Sequence, residues 1–199
     1  MEFETLVRSR RMRRSFDRAP VSRHVIEQCV DLARLSPSAG KTQGWELVVL
    51  EGSHTEKFWS CTLPPERRQS FAWPGLLRAP VIAIALADPT AYVERYSETD
   101  KAHTGLGNGP DAWSVKYWTV DASFAVMTLL YALDDAGLGS LFFAVFNGEQ
   151  QLRESLEIPS HLELIGAIAT GFPDGSDVPG RSATRPSRAS SDFIHWGKW

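Results

Sequence analysis

The stretch Pro80-Val-Ile-Ala-Ile-Ala-Leu-Ala87 is apolar at every position. A strand with one solvated face alternates apolar and polar residues, whereas a strand covered on both faces is continuously apolar. We therefore predict a central, doubly covered strand over residues 80–87. Shorter strand-like runs at residues 45–51, 141–146 and 164–172 bring the predicted sheet to about four strands.

Helical patterns surround these strands without a regular β-α alternation. Residues 2–11 and 22–35 carry apolar side chains at helical spacing, and a short helix is predicted over residues 149–156. Such irregular mixing favours an α+β fold. The 199 residues suit a single domain over residues 1–199, with a Pro-, Gly-, Ser- and Arg-rich surface tail over 173–199.

Residues 117–136 predict a helix that is apolar almost all the way round. A helix at the surface of a small protein has one apolar stripe and one polar face. The pattern therefore indicates a helix buried in a core or in an interface. We expect the interface to be with a second copy of the chain, which predicts a homodimer.

Residues 88–116 are rich in Gly, Pro and Asp and hold Tyr92, Tyr96 and Trp113. Connections of this length are usually functional or mobile. We interpret the segment as a lid-like insertion whose aromatic rings stack on an acceptor. The alternative is that the rings only attach the segment to the body of the protein.

Composition excludes several classes of function. The net charge of −3 provides no global attraction to nucleic acid. Two cysteines are too few for a disulfide framework, and no uncharged apolar run reaches the length of a membrane span. The five histidines are scattered without metal-ligand spacing. We expect a cytoplasmic protein with no metal, membrane or nucleic-acid partner.

Arginines are concentrated near the two ends of the chain. One group lies within residues 8–18, and the other comprises Arg181, Arg185 and Arg188. A charge run is commonly just a solvated surface. If the fold brings the two groups together, they could instead bind one phosphate.

Four segments in their order resemble the FMN-dependent nitroreductase family. They are RRMRRSF at 10–16, SPSAGKTQGW at 36–45, GLGSLFF at 137–143 and the arginine-bearing tail. The resemblance covers nearly the whole chain. It implies a mostly antiparallel central sheet flanked by helices, and an intertwined homodimer that binds FMN at its interface.

The resemblance also implies a role for each matching residue. Arg14 would place a fixed positive charge at the pyrimidine end of the flavin and stabilise the charge left there by hydride transfer. Arg10 and Arg11 would bind the FMN phosphate, and Arg188 or alternatively Arg185 of the tail would complete the same phosphate site. The cofactor-binding residues implied in this way are Arg10, Arg11, Met12, Arg14, Pro37, Ser38, Ala39, Gly40, Gln43, Phe142, Phe143, Ala144, Val145, Arg185 and Arg188.

Some positions depart from the family pattern. Met12 replaces a phosphate-binding Ser, Lys41 replaces Asn, and Ala144-Val145 replaces a Gly-Gly pair. The implied reaction is ping-pong hydride transfer from NADH or NADPH, through flavin N5, to a nitroaromatic or quinone acceptor. The alternatives are a flavin-sequestering or regulatory protein without turnover, and a dehalogenating or flavin-fragmenting enzyme of the same fold.

Overall fold

The computed structural model describes residues 1–199, apart from the side chain of Arg181. Seven α-helices and four strands alternate irregularly along the chain. The helices are α1 (Phe3–Ser9), α2 (Arg23–Ala33), α3 (Thr55–Thr62), α4 (Pro65–Arg68), α5 (Pro89–Ser97), α6 (Tyr117–Asp135) and α7 (Glu149–Ser155). The strands are β1 (Trp45–Glu51), β2 (Val81–Ala87), β3 (Gly139–Phe143) and β4 (Glu163–Gly171).

The four strands form one antiparallel sheet in the order β1-β2-β4-β3. Every residue of β2 is buried, and β2 pairs with β1 on one side and β4 on the other. The prediction of a central, doubly covered strand and of an α+β sheet flanked by helices is confirmed. Ile84 is an example of a residue in this central strand. Its side chain is fully buried, and its backbone lies between Val48 of β1 and Ala167 of β4.

Apolar side chains cover both faces of the sheet. On one face, α3 and α7 pack against the sheet and form a core that includes Phe58, Ile82 and Leu152. The second core lies around Ala83 and Leu130 and receives α2 and α6. The alternation along β2 therefore distributes its side chains to two cores, as its uninterrupted apolar sequence requires.

The segment 88–116 is not the irregular loop that its composition predicts. It begins with α5, whose first turn is capped by the Asp88 carboxylate accepting the backbone N–H groups of Thr90 and Ala91. Three single turns of 3-10 helix follow. The Gly, Pro and Asp residues of this segment thus connect a series of short helical turns, and they do not form an open loop.

Two of the three aromatic rings of this segment, those of Tyr92 and Trp113, are buried in the protein. Tyr92 has no exposed surface and Trp113 is 8% exposed, and both pack with Trp118 and Ala122 of α6. The expectation that Tyr92 and Trp113 stack on an acceptor is therefore wrong for this chain. These two rings attach the segment to α6, and the lid-like role of the segment as a whole stays a prediction.

Helix α6 is buried along most of its length but keeps an apolar outer side. Phe124 is 47% exposed, and the neighbouring helices expose Phe3, Leu32 and Leu35 by more than half. Phe3 lies against Tyr131 of α6, and the hydroxyl of Ser36, next to Leu35, donates to the Phe124 carbonyl at 3.4 Å, so Phe3 and Leu35 both lie beside α6. No helix in the described part of the chain is long and apolar enough to cross a membrane.

Candidate functional site

The arginine-rich segment 10–16 lies as an extended strip along the sheet. Met12 forms a parallel bridge with Ser140 of β3, and the backbone N–H of Arg13 donates to the Ser140 carbonyl at 2.9 Å. Phe16 is fully buried and bridges Pro173. Phe16 therefore anchors the strip in the core, while Arg11, Arg13 and Arg14 keep part of their surface exposed.

Arg14 is held in place by backbone and aromatic contacts. Its backbone N–H donates to Asp177 at 2.6 Å, and its Nη1 donates to the Met12 carbonyl at 3.2 Å. Its guanidinium carbon lies 5.5 Å from the ring centroid of Trp73, a cation–π distance. The contact with Trp73 is a feature of the site that the sequence analysis missed.

The beginning of the tail is tied to the arginine strip. Ser15 donates to Asp174 at 2.9 Å, and Arg78 forms an ion pair with the same carboxylate. Hydrogen bonds from the backbone and side chain of Ser176, with those of Ser15 and Arg78, lower the pKa of Asp174 to about 2. Asp174 therefore stays ionised, and keeps these bonds, until the pH falls towards about 2.

An apolar slot opens beside Arg14 at the end of β3. Its volume is about 360 Å³. The sequence-predicted residues Arg14, Phe142, Phe143, Ala144 and Val145 all line it. Aromatic side chains supply most of its other wall, namely Phe58, Trp59, Phe71, Trp73 and Phe146.

Arg10 ends α1 and has an unpaired donor. Its Nη1 is buried and makes no hydrogen bond within the described part of the chain. A buried charged donor without a partner is costly unless a ligand supplies the acceptor. Arg11 is different, because it is exposed and its Nη1 donates to the carbonyls of Arg8 and Arg10.

The predicted flavin loop, residues 37–43, lies against other elements. The backbone N–H of Ala39 donates to Asp121 of α6 at 2.7 Å, and the Gln43 amide donates to the Arg34 carbonyl at 2.7 Å. Arg95 of α5 donates to the Gly40 carbonyl at 2.9 Å. Within one chain the loop thus binds α2, α5 and α6, and does not line the slot beside Arg14.

Several residues of the loop adopt left-handed backbone conformations. The φ angles are +61° at Gly40, +56° at Lys41 and +55° at Gln43. This region is easy for Gly and Asn but disfavoured for Lys. The loop therefore carries backbone strain at Lys41, the position where the family pattern has Asn.

Replacing Lys41 with Asn is expected to raise the free energy of unfolding by about 0.5–1 kcal/mol, because Asn tolerates φ near +56°. Urea unfolding of the flavin-free protein measures this gain. Lys57→Asn is the control, since Lys57 is exposed within helix α3 and should yield no gain. Equal stability of Lys41→Asn and the parent chain would contradict the interpretation.

The tail arginines make local contacts in the single chain. Arg188 donates to the Asp192 carbonyl and stacks on Phe193 at 4.3 Å, and the Arg185 backbone closes a turn on Ser182. These contacts do not bring either residue to Arg10. The side chain of Arg181 lies outside the described residues. That the tail binds the phosphate therefore stays a prediction.

Comparison with known proteins identifies the family. The model of the nitroreductase family matches residues 7–172. The chain belongs to the nitroreductase family. Similar proteins include an Archaeoglobus fulgidus protein named for NADH dehydrogenase/NAD(P)H nitroreductase, 26% identical over 98% of this chain and 97% of its own. Another is the 4-nitrobenzoate reductase of a Nocardioides species, 25% identical over 92% of this chain and 85% of its own.

Solved structures confirm the nitroreductase fold. A nitroreductase from Exiguobacterium sibiricum, described as a complex with FMN, superposes with a TM-score of 0.78 over 98% of this chain and 97% of its own, at 14% identity. At that identity the likeness concerns the fold. The sheet order and the flanking helices described above are therefore those of a nitroreductase.

The residues of this member of the nitroreductase family fit FMN chemically. The unpaired Nη1 of Arg10 suits a phosphate oxygen, because charged donors of Arg match phosphate well. The apolar slot suits a planar ring system, with Arg14 at one end. Among the described residues there is no cluster of three His, Cys, Asp or Glu side chains that could hold a metal.

Proposed function

We propose that the protein is an FMN-dependent NAD(P)H oxidoreductase that reduces nitroaromatic, quinone or related aromatic acceptors. The observation that carries the proposal is the slot at the end of β3, which combines apolar walls, the cation of Arg14 and the backbone of residues 142–145. The names of the A. fulgidus and Nocardioides relatives support the donor and the acceptor class. FMN, when bound, would accept hydride from NAD(P)H and pass it to the acceptor.

The chain's own residues would bind and position the reacting groups. Arg10 would bind the phosphate through its unpaired Nη1. Arg14 would hold a permanent positive charge at one end of the slot, where hydride transfer leaves negative charge. The cation–π contact of the guanidinium with Trp73 and the hydrogen bond from Nη1 to the Met12 carbonyl hold this charge in place. The aromatic walls would exclude water.

A homodimer is part of the proposal. The outer side of α6 and the adjacent ends of α1 and α2 expose Phe124, Phe3 and Leu35. Exposed apolar side chains that gather in one region mark an interaction surface. The loop 37–43 lies next to this surface, because Ser36 bonds to Thr128 of α6 at 2.7 Å. In the dimer, the loop of one protomer would complete the slot of its partner.

The visible spectrum of the purified protein tests the function. We expect a yellow protein that bleaches within seconds of anaerobic NADPH or NADH and recovers its colour on addition of 4-nitrobenzoate or a benzoquinone. A yellow protein that does not bleach with either donor would indicate a flavin-binding protein without turnover. Recovery only with a halogenated phenol would indicate a dehalogenase. A colourless protein that cannot be loaded with FMN would refute the proposal.

A further inference from the structure

Asp121 is a buried carboxylate in the second turn of α6. It is 5% exposed, and its Oδ2 accepts two hydrogen bonds of 2.7 Å, from the Ala39 backbone N–H and from the Tyr92 hydroxyl. Burial of a carboxylate is unfavourable unless strong donors compensate for lost hydration. Asp121 therefore connects α5, α6 and the loop 37–43 at a single oxygen atom.

Tyr92, the hydroxyl donor to Asp121, is tightly packed. Its ring has no exposed surface and packs against Gly44 so closely that a Cβ there would lie 2.7 Å from Tyr92 Cε2. Burial, followed by the hydrogen bond to Asp121, raises the pKa of the Tyr92 hydroxyl above its usual value. The hydroxyl thus stays protonated and remains a donor to the carboxylate.

A second contact from α5 supports the same loop. Arg95 donates to the Gly40 carbonyl at 2.9 Å and is itself held by both carboxylate oxygens of Asp100 at 2.8 Å. The Tyr96 ring lies under Gly40, where a Cβ would approach Tyr96 Cε2 to 3.0 Å. The segment 88–116 therefore provides a rigid support beneath the loop.

We infer that Asp121, together with Tyr92 and Arg95, is a positioning residue that holds the loop 37–43 in the conformation that binds flavin across the dimer interface. The inference rests on the proposed function. Gly40, Lys41 and Gln43 of the loop adopt left-handed backbone conformations. The loop therefore needs bonds from other elements to keep this shape. Asp121 and Arg95 supply such bonds to the backbone at Ala39 and Gly40.

The hydroxyl of Tyr92 is the sharpest probe of this role. Tyr92→Phe keeps the buried ring but removes one of the two donors to Asp121. The matched control is Thr55→Val, which removes a buried hydroxyl bonded to Gly52 at 2.9 Å, at the beginning of α3. We expect the dissociation constant of FMN, measured by fluorescence titration, to rise about tenfold in Tyr92→Phe and to stay within about twofold in Thr55→Val.

Variants of Asp121 separate positioning from general stability. Asp121→Ala should weaken FMN binding about a hundredfold, whereas Asp121→Asn keeps an acceptor oxygen for the Ala39 N–H and should recover most of the affinity. In the flavin-free protein, amide hydrogen exchange at Ala39 should be at least about tenfold faster in Asp121→Ala than in the parent chain. Tyr92→Phe still decides the question if Asp121→Ala does not fold.

Two outcomes would overturn the inference. One is FMN affinity in Tyr92→Phe equal to that of Thr55→Val at equal thermal stability. The other is unchanged exchange at Ala39 in a folded Asp121→Ala protein. A parent chain that takes up no FMN would instead overturn the proposed function, and this result is distinguishable because it appears before any substitution is made.

Discussion

Arg10→Ala is expected to leave the purified protein nearly free of flavin. The Arg10 Nη1 is buried without a partner in the described part of the chain, so a phosphate oxygen is the acceptor that would satisfy it. A charge-assisted hydrogen bond contributes about 1.5–3 kcal/mol, so loss of the one from Nη1 should raise the dissociation constant of FMN roughly ten- to a hundredfold. Isothermal titration of the flavin-free protein with FMN measures the loss.

Arg11→Ala is the control for this experiment. The Arg11→Ala substitution removes the same charge from the next position. The Arg11 side chain, however, is exposed and donates to the backbone carbonyls of Arg8 and Arg10. We expect its loss to change FMN affinity by less than about threefold. Titration with riboflavin, which lacks the phosphate, should not distinguish Arg10→Ala from the parent chain. Equal losses of FMN binding in the two variants would contradict a specific bond from Arg10. They would show that the phosphate is attracted by the overall positive charge of residues 10–16.

The second large effect concerns the outer surface of α6. The double substitution of Leu35 and Phe124 by Asp places two buried charges in the proposed dimer interface. These side chains are 70% and 47% exposed in the single chain, so the protomer itself should remain folded. We expect light scattering to give the 22.1 kDa of one chain, where the parent protein gives about twice that mass.

Loss of the dimer should also remove the flavin, because the loop 37–43 would no longer reach the slot of a partner. Ser160→Asp is the control, as it adds one charge at an exposed position outside α1, α2 and α6. It should remain dimeric and yellow. A double variant that stays monomeric and still binds FMN with unchanged affinity would show that one protomer holds the whole site.

Some residues of the site could be predicted from sequence because short local motifs resemble those of the family, although the motifs themselves lie far apart in the chain. The strip at residues 10–16 and the end of β3 meet at the slot, and five of the predicted residues line it. The location of the tail arginines could not be predicted, since their contacts in the single chain are with their own neighbours.

The expectation that Tyr92 and Trp113 stack on an acceptor failed for a different reason, whereas the lid-like role of residues 88–116 stays a prediction. The composition of residues 88–116, rich in Gly, Pro and Asp, describes turns equally well in an open loop and in a series of short helices. Only the burial of Tyr92 and Trp113 distinguishes the two. Aromatic residues within a polar stretch of sequence suggest a ligand-binding surface. For Tyr92 and Trp113, only the structure shows that α6 covers the rings.

The sequence by itself determined the central strand, the α+β class and the family, because hydrophobic periodicity and short motifs are local properties of the chain. The tertiary structure alone decided which groups meet. Arg14 bonds to Asp177, 163 positions away, and Ala39 bonds to Asp121, 82 positions away. The physical reason is that a hydrogen bond depends on the distance and direction between two atoms in space. The number of residues between two positions in the sequence does not give that distance or direction when several helices and strands lie between them.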